Sequence, residues 1–237
     1  MGSDRIPRAR RPRGDALANR LRVLEVASQV FATRGLSASL ADVASAADVG
    51  IGTLYRGFQN KDELIYVVYE PQMRASQLMA AQAAQLADPW TGLVWFIEES
   101  ARNLARDIGF RQFILGRHVE ADGWPRSEKL RELAKLLEET HDCVMRHMSD
   151  VVDRAKWTGQ LRPDFEVTDI PFITVAVQSA VEFGRPDNSD MHRRLIGMIL
   201  DGLRSTRSVS TPLPVPGLSV DELRHLGGRR ANVSEQS

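Results

Sequence analysis

The chain has 237 residues, enough to build one large core or two modest ones, and its 43% hydrophobic and 26% charged content is ordinary for a globular protein. Its 31 basic and 31 acidic side chains cancel, no apolar run approaches the ~20 residues that span a bilayer, and the one cysteine, Cys143, excludes an intramolecular disulfide framework. The opening MGSDRIPRARRPRGD has no apolar core behind its charges, so the expected compartment is the cytosol, with no membrane partner.

The zero net charge hides an asymmetry. Residues 1–60 hold nine arginines against five acids, a net of +4 that leaves −4 for the rest. A basic head on an acidic chain is the layout of a polyanion binder, although a solvated tail would look the same. Residues 1–14 read as a flexible basic arm.

In chain order, the strong patterns have the helical period and none has the alternation of a strand, so the expected fold class is all-α. Leu17, Leu21, Leu24 and Phe31 form one stripe, flanked by Val23, Ala27 and Val30, and predict a helix from about Asp15 to Arg34 ended by Gly35. Ser39 opens a short helix, with Asp42 completing a capping-box-like pair and Leu40, Val43, Ala44 and Ala47 on its buried face. A turn at Asp48–Gly50 leads to a third helix with Ile51, Leu54, Tyr55 and Phe58. Asn60 caps a longer fourth helix whose first acids, Asp62 and Glu63, suit its positive end.

Asp88–Pro89 pairs an N-cap with proline at the first helical position and starts a helix through about Arg106. A short helix follows near Phe110–Val119, then the longest, from about Ser127 to Thr158, stopped by Gly159. Thr168 to Phe183 is strongly apolar and a last helix runs from about Ser189 to Leu203. Residues 205–237 mix Ser, Thr, Pro and Gly and read as a flexible tail, with Val220–Leu226 a possible docked turn. The expected organisation is therefore an arm (1–14), a helix-turn-helix domain (15–62), a helical ligand-binding and dimerisation domain (63–204) and a tail.

Residues 39–58, SLADVASAADVGIGTLYRGF, carry the functional signal. Two short helices crossing steeply need a small residue at their contact, a turn tolerant of positive φ, and apolar residues to lock the second helix. Ala44, Asp48, and Val49 with Leu54 meet those needs in turn. The run Ser39 to Leu64, with its GTLYRGFQNKDEL segment, resembles the signature of the TetR family of bacterial transcriptional repressors, and RAKWTGQLRPDFEVTDI is similar to the body region of such regulators. Two positions depart from the pattern. Asp48 stands at the turn usually held by glycine, and Gly57 stands where His or Tyr is common, which removes a phosphate contact and shifts affinity toward the arm.

The resemblance implies a homodimer on a double-stranded palindromic operator, released by a small-molecule effector, with no cofactor and no catalytic or metal site. It assigns Thr53, Tyr55 and Lys61 to phosphates, with Ser39 at the start of the second helix, and offers Arg56 and Thr53 for base edges. Core packing is the alternative for Tyr55, and a solvated charge the alternative for Arg56. Arg8, Arg10, Arg11 and Arg13 are candidates to reach an adjacent minor groove. Trp95, Phe96, Phe110, Phe113, His118, His141 and Phe172 are the bulky candidates for a pocket suited to an uncharged or weakly polar molecule, each also readable as core. The two apolar C-terminal helices are the expected dimer bundle, or else simple core helices. Pro71 interrupts the fourth helix and predicts a kink, which either lets the heads swing or only wraps the helix around the body.

Two rival readings compete with this one. His141, Cys143 and His147 suggest metal or thiol chemistry, but only Cys143 and His147 share a helix face and no third ligand has suitable spacing. A helical protein-interaction module would explain the body but not a basic arm beside a helix-turn-helix.

Overall fold

The computed structural model describes residues 13–114, 127–184 and 191–206; for 13–16 and 182–184 it describes the backbone alone. Among these residues the fold is all-helical, with a single isolated bridge, Leu161 to Arg204, and no strand. The helices are α1 (Arg13–Arg34), α2 (Leu40–Ala46), α3 (Ile51–Gly57), α4 (Lys61–Gln85), α5 (Pro89–Arg106), α6 (Ile108–Ile114), α7 (Glu128–Trp157), α8 (Ile170–Gly184) and α9 (Met191–Leu203). A 3-10 turn over Val167–Asp169 leads into α8.

Local chemistry sets most of these boundaries. Gly35, at φ 76°, ends α1 by returning its amide to the Phe31 carbonyl at 2.9 Å. Ser39 and Asp42 form the reciprocal capping box: the Ser39 hydroxyl accepts from the Asp42 amide and the Asp42 carboxylate accepts from the Ser39 amide. Asp48 takes the left-handed conformation at φ 52° that the turn into α3 demands. Asn60, Asp88 and Ser127 cap α4, α5 and α7 with their side chains. Carbonyls at the end of α4 and just past it are satisfied from α7, where Arg154 donates to Ala84, Leu86 and Ala87.

Two expectations for α1 are corrected. The helix begins at Arg13, so the backbone of Arg13 belongs to it rather than to a free arm. Its core face is Val23, Ala27, Val30 and Phe31, while Leu17 and Leu21 are about 60% exposed. Of the predicted Leu–Phe stripe, Phe31 is buried and Leu24 packs partly against the core, whereas Leu17 and Leu21, nearer the start of the helix, do not reach it. Arg10 and Arg11, the region near Val119, and the stretch from 207 onward, including Val220–Leu226, lie outside the described residues.

The buried apolar residues form two clusters. The first joins α1, α2 and α3 to the first half of α4 (Leu64 to Met73), to Phe110 and Phe113 of α6, and to Leu133 and Leu136 of α7. The second joins the far end of α4 (Ala80, Ala83) to α5, the second half of α7, α8 and α9. The core of the head therefore does not close at residue 62, since elements of the body complete it. Helix α4 spans both clusters, and Pro71 lies in the half that packs in the first, two residues before Met73. Lacking an amide hydrogen, Pro71 leaves the backbone ladder one bond short at that point.

Candidate DNA-reading helix and effector cavity

Helix α3 is anchored by Leu54 and Phe58, which are 1% and 2% exposed. The rest of its surface faces outward: Ile51, Gly52, Tyr55 and Arg56 are exposed and Thr53 is half-buried. Arg56 folds along the helix, its Nε donating to the Gly52 carbonyl and its second guanidinium nitrogen to Thr53 Oγ1, both at 3.2 Å. Thr53 and Arg56 thus form one polar patch, which suits the base-edge role suggested for them. Tyr55 is 54% exposed, so core packing does not account for it.

The other assigned positions frame this helix. Ser39 is exposed at the start of α2, its hydroxyl engaged in the capping box, which also holds the Asp42 carboxyl below the usual carboxylate range. Lys61 donates its Nζ to the Leu36 carbonyl. Partial burial lowers its pKa, with Asp62 and then Asp42 opposing the shift, so it ties α4 to the turn after α1 as well as offering charge nearby. Arg20 of α1, a residue sequence reasoning passed over, closes the far end of α3. It donates to the Gly57 carbonyl and lies 4.3 Å from the centroid of the Phe58 ring, adding a cation where a helix end is negative. A Cβ at Gly57 would come no nearer than 4.0 Å to that guanidinium, so space does not demand glycine there.

A cavity of about 670 Å³ opens between α4, α5, α6, α7 and α8. Its wall includes Ser76 and Met79 of α4, Phe96 and Ser100 of α5, Phe110 and Ile114 of α6, and Thr174 of α8. Three of the seven bulky candidates line it: Phe96, Phe110 and His141, the last exposed at the mouth beside Glu138 and Asp142.

The other four stand elsewhere. Phe113 is buried in the first cluster, stacked 6.1 Å from Tyr69, because it occupies the face of α6 turned toward the head. Trp95 packs on the second cluster without reaching the cavity, and His118 lies outside the described residues. Phe172 is 75% exposed. Helix α8 is apolar nearly all round, so composition alone did not show that Ile170, Val177 and Val181 would turn inward and Phe172 outward. The wall residues that sequence reasoning missed, such as Ser76, Ser100 and Thr174, are small or weakly polar and carry no motif.

Cavity and head meet at α6. Phe110 and Ile114 face the cavity, while the Gln112 side-chain oxygen accepts from the Leu36 amide at 2.7 Å, just past the end of α1. Asp107 starts the helix by accepting from the Phe110 amide at 2.8 Å, and its carboxylate also accepts from Tyr69 Oη and Gln72 Nε2, each at 3.2 Å. Burial first, and Asp107 second, push the Tyr69 phenol far above its usual pKa, so it stays a neutral donor. Gly109 lets α6 lie directly on α1: a Cβ there would run into Tyr69 Oη and stand 2.9 Å from the Phe31 carbonyl.

Sequence and fold comparisons agree with this geometry. Residues 23–67 match the family described as bacterial regulatory proteins, tetR family, and residues 88–205 match the SbtR-like transcriptional regulator C-terminal domain. A TetR transcription regulatory protein from Mycobacterium vanbaalenii is 28% identical, the alignment covering 81% of this chain and 98% of that one, with a TM-score of 0.50. The ketosteroid transcriptional regulator KstR2 of Mycobacterium tuberculosis is 20% identical over 78% of this chain and 94% of its own, with a TM-score of 0.60. SmeT, the repressor of the Stenotrophomonas maltophilia multidrug efflux pump SmeDEF, is 18% identical over 86% and 100%, with a TM-score of 0.54, and is also known in complex with triclosan. No curated protein sequence matches significantly. Among the described residues no helix is long and apolar enough to cross a membrane. An N-terminal tetR-type head and an SbtR-like body on an all-helical fold identify this chain as a member of the TetR family of transcriptional regulators, a non-enzymatic family.

Proposed function

We propose that the protein is a ligand-responsive repressor that binds a palindromic operator as a homodimer and is released when a small molecule fills the cavity between α4 and α8. The observation that carries this reading is α6, which has Phe110 and Ile114 on the cavity and Gln112 on the head. A ligand that displaces the first two drags the third, and with it the end of α1. Helix α4 is the second connection, and the bond missing at Pro71 makes the stretch packed in the first cluster the natural place for it to flex. SmeT, a repressor known with a bound small molecule, offers a precedent for the pairing of repression with ligand binding.

Dimerisation is supported by α8 and α9. Phe172, Val175 and Ala176 stand exposed along one side of α8, and Met198 is exposed on α9. A second copy of the same face would cover them with a two-fold axis, setting two α3 helices on half-sites about 34 Å apart or a multiple of that. At the head, Thr53 and Arg56 read base edges while Tyr55, Lys61 and the α2 start engage phosphates.

The test is selection of bound sites from a random duplex library by the purified chain, at two salt concentrations because phosphate contacts release counterions. An enriched palindrome supports the reading. Absence of enrichment even at low salt would remove it. The hinge has its own test: Pro71→Ala should alter effector-driven release, and unaltered release would leave α6 as the sole link.

A further inference from the structure

Ile51 opens α3 with 44% of its surface exposed, although Val49, Leu54 and Phe58 around it are drawn into the core of the head. Single exposed apolar residues are common on protein surfaces and need no use. The neighbourhood of Ile51 sets this one apart.

The first turn of α3 is built against helix stability. Gly50 supplies no side-chain cap, no acid follows it, and Gly52 comes next after Ile51. Helices α2 and α4 on either side have both a side-chain cap and first-turn acids, the usual means of satisfying and balancing such a turn. Isoleucine, being β-branched, also ranks below the straight-chain residues as a helix former. Packing does not call for the glycines either, since a Cβ at Gly50 or Gly52 would meet nothing within 4 Å. Neither stability nor packing therefore selects the run Gly50–Ile51–Gly52. Its consequence at the surface is plain: across these three residues the backbone is bare except for one branched apolar side chain.

That side chain stands on the second helix of the helix-turn-helix, within the residues matched to the tetR family, and such a helix meets base edges with the residues of its first turns. Tyr55 is exposed one turn after Ile51, and Arg56 folds back to the Gly52 carbonyl and Thr53 Oγ1, so the polar groups of α3 gather on Thr53 and Arg56. The major-groove edges of the bases carry hydrogen-bond donors and acceptors and one apolar group, the C5-methyl of thymine. Isoleucine has no hydrogen-bonding side-chain atom, so that methyl is the one feature of the groove it can recognise.

We propose that Ile51 is a specificity-determining residue that packs on the C5-methyl of a thymine in the operator half-site. The inference rests on the reading of α3 as the base-contacting helix. Opposite a polar base edge the same side chain strips water and offers no bond in return, so it also selects against the other bases.

The experiment uses the full-length protein and the operator enriched from the random duplex library. Each half-site thymine is replaced in turn by deoxyuridine, which removes the methyl and keeps every hydrogen-bonding group. At one thymine the wild type should lose about fourfold in affinity, the worth of one buried carbon. Ile51→Ala should erase that loss and Ile51→Val should retain most of it, which makes the comparison a double-mutant cycle between one side chain and one methyl. Both variants should melt close to the wild-type temperature, because Ile51 lies outside the buried core. A merely structural role would weaken binding to every duplex alike and leave the deoxyuridine loss in place. A half-site without thymine, no loss at any thymine, or a loss that persists in Ile51→Ala would overturn the proposal while leaving α3 as the reading helix. Absence of any enriched duplex at low salt would instead remove the DNA-reading assignment of α3, and this inference with it.

Discussion

Gly109→Ala sets two effects of opposite sign against each other. Within a helix, alanine in place of glycine gains about 1 kcal/mol of intrinsic propensity. Against this, the new Cβ would run into Tyr69 Oη, 2.9 Å from the Phe31 carbonyl and 3.2 Å from Phe31 Cβ. Tyr69 cannot simply swing away: it is fully buried, bonded to Asp107, and packed against Phe31, Phe110 and Phe113 at centroid separations of 6.4, 5.8 and 6.1 Å. Overpacking of a tight contact costs about 1–3 kcal/mol, and losing the buried Tyr69–Asp107 bond adds about 1–3 kcal/mol. After the propensity gain, the expected net destabilisation is about 1–5 kcal/mol, and for a chain of this length each kcal/mol lowers the melting temperature by about 2–4 °C. Calorimetric melting of the full-length variant measures it, and a gel-shift titration on the selected operator should show weakened binding because α6 no longer seats on α1. A variant that melts at or above the wild-type temperature would mean that propensity outweighs the steric cost, and that α6 is not held against α1 as described.

Arg56→Ala should relax base preference at one or two operator positions, at about 1–3 kcal/mol for the favoured base, while leaving the salt slope nearly unchanged; site selection with the variant checks this. Asp88 accepts from Thr91 and Gln160, and these bonds, with the Thr91 hydroxyl foremost, depress its pKa. A depressed folded pKa gives stability that is present above the unfolded value of about 3.9 and is lost as pH falls through the folded value. Asp88→Asn should therefore lower the urea midpoint at pH 7 by an amount that shrinks as the pH is taken below about 3.9, and a gap that does not shrink with acid would contradict the assignment. Phe172→Glu, on the exposed face of α8, should shift the chain toward monomer in analytical ultracentrifugation and weaken operator binding with it, without a loss of helix by circular dichroism.

The order of the helices was legible because their ends are written in local chemistry. Ser39 with Asp42, Asn60, Asp88 with Pro89, Ser127, Gly35 and Gly159 act through groups within a few residues, so each boundary follows from its own neighbourhood. Asp48 was legible for the same reason, since few residues other than glycine accept its backbone conformation. Facing is another matter, because it depends on what a helix meets. Leu17 and Leu21 of α1 are as apolar as the valines that follow, and only packing in the head cluster selects Val23, Ala27 and Val30 over them. Phe172 and Val177 lie on opposite sides of a helix that is apolar on both, so their separate fates, one exposed and one buried, have no local cause.

The same distinction governs the candidate site. The head could be read because recognition by a helix needs particular residue types at particular spacings, and Thr53, Tyr55 and Arg56 are displayed on a scaffold that Leu54 and Phe58 fix. The cavity is a space between five helices, and a space has no sequence signature. Bulky aromatics were a poor guide to it, since a large side chain is as apt to fill a core, as Phe113 does, as to border a hole. Gln112 and Gln178 illustrate the limit most clearly. They are the same residue type in the same helical body, yet one spends its oxygen on the Leu36 amide across the head junction while the other is buried with both amide atoms unspent. Those unequal fates follow from tertiary placement, which the sequence neighbourhood of neither glutamine records.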